Sequence, residues 1–317
     1  MAETGERPAV LQMAPMMAHV EAALEAAYTV HRYWEAADGA ALLAREGGAI
    51  RGLATNGHAG LPAEILAALP ALEMVASYGV GYDAIDIPAC KARGVRVSNT
   101  PDVLNDAVAE MTLGLMIALC RRIPQADRFV REGRWLAGGY PLTAELTGKT
   151  VGILGLGRIG KEIARRAEVF RMRVVYCGRT EQAFQPYQYY ADLEAMARAV
   201  DWLVVIAPGS AETKGIVSRR VLEALGPEGC LVNVARGSLV DEAAMLELLQ
   251  SGELGGAALD VFEDEPRMAE AFWALENVVL SPHQGSATHK TRAGMGDLVV
   301  RNLAAYFAGD PLLTPVA

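Results

Sequence analysis

The sequence predicts an α/β fold of two doubly wound parallel-sheet domains, one inserted into the other. Three observations carry that expectation. Short apolar runs alternate with helical patterns along most of the chain, the order that builds parallel sheets with helices on both faces. The 317 residues are enough for two domains, each with its own core. Finally, the glycine-rich turn in Val151-Gly-Ile-Leu-Gly-Leu-Gly-Arg-Ile-Gly160 opens a second strand series in mid-chain.

Val10–Met13 reads as a first strand, followed by a helix with apolar residues at Val20, Ala23, Leu24 and Ala27. Ala49–Ala54, Met74–Ser77 and Val95–Ser98 read as further strands, with a helical pattern over Pro62–Ala68 between the first two. A long helical segment begins at Pro101 and runs to about Arg122. The second series continues from Val151 through strands at Val174–Tyr176, Trp202–Ile206, Cys230–Asn233, Gly256–Asp260 and Val278–Leu280. A last helix spans Thr288–Phe307. We therefore expect residues 1–99 and 287–317 to form one discontinuous domain and 100–286 the inserted one. The two crossings, near Asn99–Pro101 and Gln284–Ala287, would form a two-stranded hinge.

Composition narrows the function. Hydrophobic residues at 52% and charged residues at 21% are ordinary for a globular α/β protein. Lys and Arg number 29 against 38 Asp and Glu, a net charge of −9, which argues against a nucleic-acid partner. The basic pairs Arg121-Arg122, Arg165-Arg166 and Arg219-Arg220 read as solvated helix faces. Cys90, Cys120, Cys177 and Cys230 are scattered without metal-ligand spacing, so neither a metal site nor a disulfide framework is expected. Residues 1–6 lack the basic and apolar pattern of a leader, and the apolar stretch Met111–Cys120 is too short to span a bilayer. The expected location is the cytoplasm, with no membrane association.

The chemistry starts at the glycine turn. Gly155, Gly157 and Gly160 have G-x-G-x-x-G spacing and sit between an apolar run and a helical pattern, Lys161–Phe170. In that setting the first glycine permits a tight turn, the second lets backbone approach a pyrophosphate, and the third lets helix and strand pack closely. The helix N-terminus offers its N–H groups to the phosphates, which places Leu156, Arg158 and Ile159 at a dinucleotide site. The fold class is thus Rossmann-like. The next strand, Arg173–Cys177, would end in an acid if it bound an unmodified adenosine ribose. It runs instead into Gly178-Arg179-Thr180, where Arg179 can pair with a 2′-phosphate and Thr180 can add a hydroxyl. NADPH/NADP is the preferred cofactor, with NADH also admitted.

Three later segments follow strands. In Asn233-Val-Ala-Arg-Gly-Ser-Leu-Val-Asp241, Arg236 can present a rigid fork to a carboxylate, or equally be a surface arginine. Leu259-Asp-Val-Phe-Glu-Asp-Glu-Pro266 holds acids that serve as a solvated turn unless one meets an imidazole, which it would then orient. In Leu280-Ser-Pro-His-Gln-Gly-Ser286, His283 follows a strand; His19, His31, His58 and His289 have no comparable setting.

Together with Gly79-Val-Gly-Tyr-Asp83, these segments resemble the D-2-hydroxyacid dehydrogenase family over most of residues 75–300. Within it the chain is most similar to NADPH-preferring glyoxylate/hydroxypyruvate reductases. The resemblance implies Arg236, Glu265 and His283 as the catalytic set acting on a small 2-ketoacid or 2-hydroxyacid. His283 is the general acid/base, Glu265 keeps its imidazolium available, and Arg236 grips the substrate carboxylate. It also implies that Val80 and Gly81 bind that carboxylate through backbone N–H groups, with Arg236 and His283 completing the substrate site. Pro208, Thr213, Val234, Ala235, Asp260, Gly285 and Ser286 join the cofactor contacts. Asp260 equally suits a loop cap. In related reductases the arm around Trp135 and Gly138–Pro141 joins a dimer interface, so a homodimer is expected, with Trp135 as interface anchor or buried intrachain residue. Tyr78 and Trp273 are candidate pocket walls. The same fold also serves phenylpyruvate and 2-ketogluconate reduction and dinucleotide-sensing corepressors, and these stand as rivals.

Overall fold

The computed structural model describes residues 7–316. The N-terminal hexapeptide, read above for a leader pattern, lies outside the described residues. The chain divides into two compact units. One runs to Leu104 and resumes at Ala287, and the other is Asn105–Ser286.

The first unit contains β1 (Ala9–Gln12), α1 (Ala18–Ala27), β2 (Thr29–Arg32), α2 (Gly39–Glu46), β3 (Ile50–Asn56), α3 (Ala63–Ala68), β4 (Met74–Tyr78), α4 (Ile87–Ala92) and β5 (Arg96–Ser98). Its strands pair in parallel in the order β2-β1-β3-β4-β5. The inner strands are apolar on both faces because both faces are covered, and Leu11, Leu53, Val75 and Val97 join one buried cluster with Leu43 and Leu66 of the helices. Asp38 and Asp86 begin α2 and α4 by accepting from the N–H groups of Ala41 and Ala89.

The second unit starts with α5 (Asn105–Cys120) and α6 (Ile123–Arg131). It then alternates through β6 (Thr150–Leu154), α7 (Arg158–Val169), β7 (Arg173–Cys177), β8 (Gln188–Tyr190), α8 (Leu193–Arg198), β9 (Trp202–Val205) and α9 (Arg219–Leu225). β10 (Cys230–Asn233), α10 (Glu242–Ser251), β11 (Gly256–Leu259) and β12 (Val278–Leu280) complete it. Its seven strands are parallel in the order β12-β11-β10-β9-β6-β7-β8. β6 therefore has β7 on one side and β9 on the other, and the winding reverses there. Such a switch point opens a crevice beyond the carboxyl ends of the strands, where ligands of doubly wound sheets bind. α11 (His289–Ala308) belongs to the first unit, is capped by Thr288 and packs on α1 and β4.

Some element boundaries differ from those read in the sequence. The long helix starts at Asn105, not Pro101, because Asp102 has φ of 71° and cannot lie in a right-handed helix. α7 starts at Arg158, three residues before Lys161, because Gly157 is its N-cap and the fingerprint itself supplies the first turn. The edge strands β2 and β8 are half exposed and have no apolar alternation, so no pattern announced them. No described helix is long and apolar enough to cross a membrane.

Candidate active site

The glycine turn shows a separate constraint at each glycine. Gly155 has φ of 102°, and a Cβ there would lie 2.7 Å from Ala207 N, against the backbone leaving β9. At Gly160 a Cβ would come 2.3 Å from Gly155 O, so this residue lets α7 press on the turn. A Cβ at Gly157 would meet no protein atom within 4 Å, so protein packing does not require that glycine. No side chain caps α7 at Gly157, and the first-turn N–H groups of Arg158, Ile159 and Gly160 face forward from the helix end. A bare helix N-terminus behind a glycine turn fits a pyrophosphate. Leu156 is buried, whereas Gly157 and Arg158 are exposed.

Neighbouring strand ends carry the other predicted contacts. After β7, Gly178 is half-buried while Arg179 and Thr180 are exposed. After β9, the Thr213 hydroxyl donates to Pro208 O at 2.8 Å and accepts from Ser210 N–H at 2.8 Å. Those bonds shape the Pro208–Thr213 loop. After β10, Val234 and Ala235 are buried.

The catalytic candidates occupy three adjacent strand ends. Beyond β10, the Asn233 side chain donates to Arg236 O at 2.9 Å and accepts from Ala235 N–H at 3.1 Å, folding the turn that carries Arg236. Arg236 Nη1 donates back to Ala235 O at 2.8 Å, and the side chain is half-buried. Gly237 lets this turn rest on the next loop, since a Cβ there would lie 1.9 Å from the Phe262 carbonyl carbon. Within that next loop, Glu265 Oε1 accepts from Phe262 N–H at 3.0 Å, and Glu265 Oε2 lies 2.7 Å from His283 Nδ1. The dyad is partly exposed, with 31% of the His283 side chain and 18% of Glu265 open to solvent. A carboxylate on Nδ1 fixes the orientation of the imidazole ring.

Asp260 has the geometry of a loop cap, one of the two roles that the sequence left open for it. It is 2% exposed. Its Oδ1 accepts from Ser281 Oγ at 2.7 Å and Gln284 N–H at 2.8 Å, and its Oδ2 accepts from Gly285 N–H at 2.8 Å. Asp260 O also accepts from His283 N–H at 2.8 Å. One buried carboxylate thus holds the loop in which His283 takes a left-handed φ of 50°. Gly285 is buried against Asp260 and Ser286 is half-buried.

In the first unit, Gly79-Val80-Gly81 leaves β4 with Gly79 at φ of 150°. Thr100 clamps it from both directions: its Oγ1 accepts from Gly79 N–H at 3.0 Å and its N–H donates to Gly79 O at 2.9 Å. Asn99 Nδ2 takes Val80 O at 2.9 Å. Val80 and Gly81 are half-buried. Tyr78 is buried and donates its hydroxyl to Arg292 O at 2.7 Å, which fits a structural residue better than a pocket wall. Trp273 is 65% exposed. Trp135 is 66% exposed, which removes the buried intrachain alternative.

Residues 113–285 match the model of the D-isomer specific 2-hydroxyacid dehydrogenase NAD-binding domain. The chain belongs to this family. Relatives agree along its whole length. A glyoxylate/hydroxypyruvate reductase of Arabidopsis thaliana is 47% identical over 307 residues, 97% of this chain and 98% of the relative. A hydroxyphenylpyruvate reductase of Plectranthus scutellarioides has the same identity and coverage. The crystal structure of an NADPH-dependent glyoxylate/hydroxypyruvate reductase from Sinorhizobium meliloti, in complex with NADP and malonate, has a TM-score of 0.94 at 46% identity. It covers 98% of this chain and 97% of its own.

Residues outside the predicted set also shape these loops. Asn233, Asn99 and Thr100 shape the loops of the candidate site without belonging to the catalytic set. Glu242, at the start of α10, accepts from Glu263 N–H at 2.9 Å and braces the Glu265 loop. Burial pushes its carboxyl above the usual range. Asn233 stood inside a quoted motif and could have been found there. The others are recognisable only from partners distant in sequence.

Proposed function

We propose that this chain reduces small 2-ketoacids, glyoxylate and hydroxypyruvate foremost, to D-2-hydroxy acids with NADPH. The observation that carries the reading is the 2.7 Å contact of His283 Nδ1 with Glu265, on the same sheet whose switch-point strand, β6, bears the dinucleotide turn. When bound, the dinucleotide would supply the hydride that the carbonyl carbon accepts. His283 gives the Nε2 proton to the carbonyl oxygen, and Glu265 stabilises the imidazolium before that transfer. Arg236 holds the carboxylate and polarises the keto oxygen, and the role of Val80 and Gly81 is to offer backbone N–H groups to a substrate carboxylate. The remaining cofactor contacts fall to Gly155–Gly160, Arg179, Thr180, Pro208, Thr213, Val234, Ala235, Gly285 and Ser286, with Asp260 acting through the loop it caps.

NADPH preference rests on the turn after β7, where Gly178 stands in place of an acid and Arg179 and Thr180 are exposed to meet a 2′-phosphate. We place the protein in the cytoplasm, as its free cysteines suggest. A homodimer is supported by Trp135 and by Leu136, 97% exposed beside it. A second reading has an observation of its own. A hydroxyphenylpyruvate reductase is as similar as a glyoxylate/hydroxypyruvate reductase, so an aryl pyruvate is the competing substrate.

A panel of 2-ketoacids assayed in parallel with NADPH and NADH tests both assignments. Highest kcat/KM for glyoxylate or hydroxypyruvate with NADPH is expected. Preference for an aryl pyruvate overturns the substrate assignment, and equal use of NADH overturns the cofactor one. Arg179→Ala should raise the KM for NADPH far more than that for NADH.

A further inference from the structure

The exposed turn that meets the 2′-phosphate in the reading above is anchored at both ends by residues with no role so far. At its start, the Tyr189 hydroxyl, on β8, donates to Gly178 O at 3.1 Å. At its end, Gln182 N–H donates to the Tyr176 hydroxyl at 2.7 Å. Tyr176 is fully buried at 1% exposure, and its ring lies 5.3 Å from that of Tyr189. Both anchors therefore grow from one aromatic pair in the sheet. The Gln182 side chain adds a third bond, from Nε2 to Leu156 O at 2.7 Å. Leu156 lies between the first two fingerprint glycines, so this bond ties the turn after β7 directly to the pyrophosphate turn after β6. Between the anchors, Arg179, Thr180 and Glu181 are all exposed.

The separation between the 2′-phosphate and the pyrophosphate of one dinucleotide is limited by its covalent structure. Protein groups that recognise both must be held at a matching separation, or binding must supply the ordering free energy. An arginine on a free turn loses backbone as well as side-chain freedom when it pairs with phosphate, whereas one on a fixed turn loses mainly its side-chain freedom. We propose that Gln182 is a specificity-positioning residue, holding the Gly178–Glu181 turn in register with the glycine turn for 2′-phosphate recognition. This rests on the NADPH reading. It assigns to Gln182 a selectivity that direct contact by Arg179 and Thr180 does not by itself require.

Gln182→Met keeps the backbone N–H and the chain length but removes the bond to Leu156 O. Titration calorimetry on the full chain should show affinity for adenosine 2′,5′-bisphosphate falling about 3–10-fold, as for one lost hydrogen bond, with that for 5′-AMP unchanged. Tyr189→Phe, which frees Gly178 O, should give the same selective loss. In turnover, the KM ratio of NADPH to NADH should rise with kcat unaltered. Equal losses for the two nucleotides, or no loss for either, overturn the proposal. Arg179→Ala separates the two levels of the argument. If it weakens both nucleotides alike, the NADPH reading fails and the positioning role with it. If it is selective while Gln182→Met is not, the positioning role alone fails.

Discussion

Replacing Asp260 by Asn removes one charge and turns one acceptor into a donor at a site 2% exposed. The carboxylate takes three bonds, from Ser281 Oγ, Gln284 N–H and Gly285 N–H, at 2.7–2.8 Å. The two N–H partners can only donate, Gln284 to Oδ1 and Gly285 to Oδ2, so the new amide nitrogen faces a donor wherever it sits. One charge-assisted bond is lost, worth ~1.5–3 kcal/mol, and a buried N–H is left unsatisfied at ~1–3 kcal/mol. The combined cost is about 2.5–6 kcal/mol, or a fall in Tm of roughly 5–24 °C at ~2–4 °C per kcal/mol for a domain of this size. The loop that relaxes carries His283, and a catalytic group misplaced by ~1 Å costs on the order of 100-fold in rate. NADPH oxidation with glyoxylate, differential scanning calorimetry and NADPH binding report the three parts. Expected are a large loss of kcat, a lowered Tm and weakened cofactor binding, since Gly285 N–H is itself held by the carboxylate. Wild-type kcat together with wild-type Tm would refute the capping role, because the loop would then hold His283 without the carboxylate.

Other consequences can be checked with single variants. His283→Ala should lose ~10²–10⁴-fold in kcat while binding NADPH normally; near-normal turnover would remove the acid/base role. Gly155→Ala places a Cβ 2.7 Å from Ala207 N at φ of 102°, so dinucleotide binding should collapse, and calorimetric affinity equal to wild type would contradict the packing argument. Asn99→Ala frees Val80 O and should raise the KM of the 2-ketoacid with little change in that of NADPH; the opposite pattern would detach Asn99 from the substrate loop. Burial pushes the Cys230 thiol from 9.0 up to about 12. An unfolded thiol ionises near 9 and the folded one only near 12, so the protons bound on unfolding decrease across that window and stability falls as pH rises through it. Urea midpoints should decline less steeply above pH 9 in Cys230→Ala; identical slopes would refute that origin.

Much of the site was legible because its chemistry is local. Gly155, Gly157 and Gly160 act through backbone geometry within one strand–turn–helix unit, so their spacing alone announces a pyrophosphate turn. The apolar runs within Arg173–Cys177 and Cys230–Asn233 match the inner strands β7 and β10, since inner strands covered on both faces are largely apolar. Edge strands such as β2 and β8 are only half covered, so burial leaves no pattern on them.

The order of the motifs, and with it membership of the D-2-hydroxyacid dehydrogenases, is written in the sequence, as are the glycines that backbone geometry requires. Tertiary structure decided what each acid does. Glu265 and His283 are 18 residues apart in the chain and 2.7 Å apart in space, a proximity that only the pairing of parallel strands creates. Asp260 and Glu265 lie in one acidic segment, yet one caps a loop and the other holds an imidazole, because a carboxylate's role is set by which donors surround it. Those donors, in this fold, arrive from other strand ends.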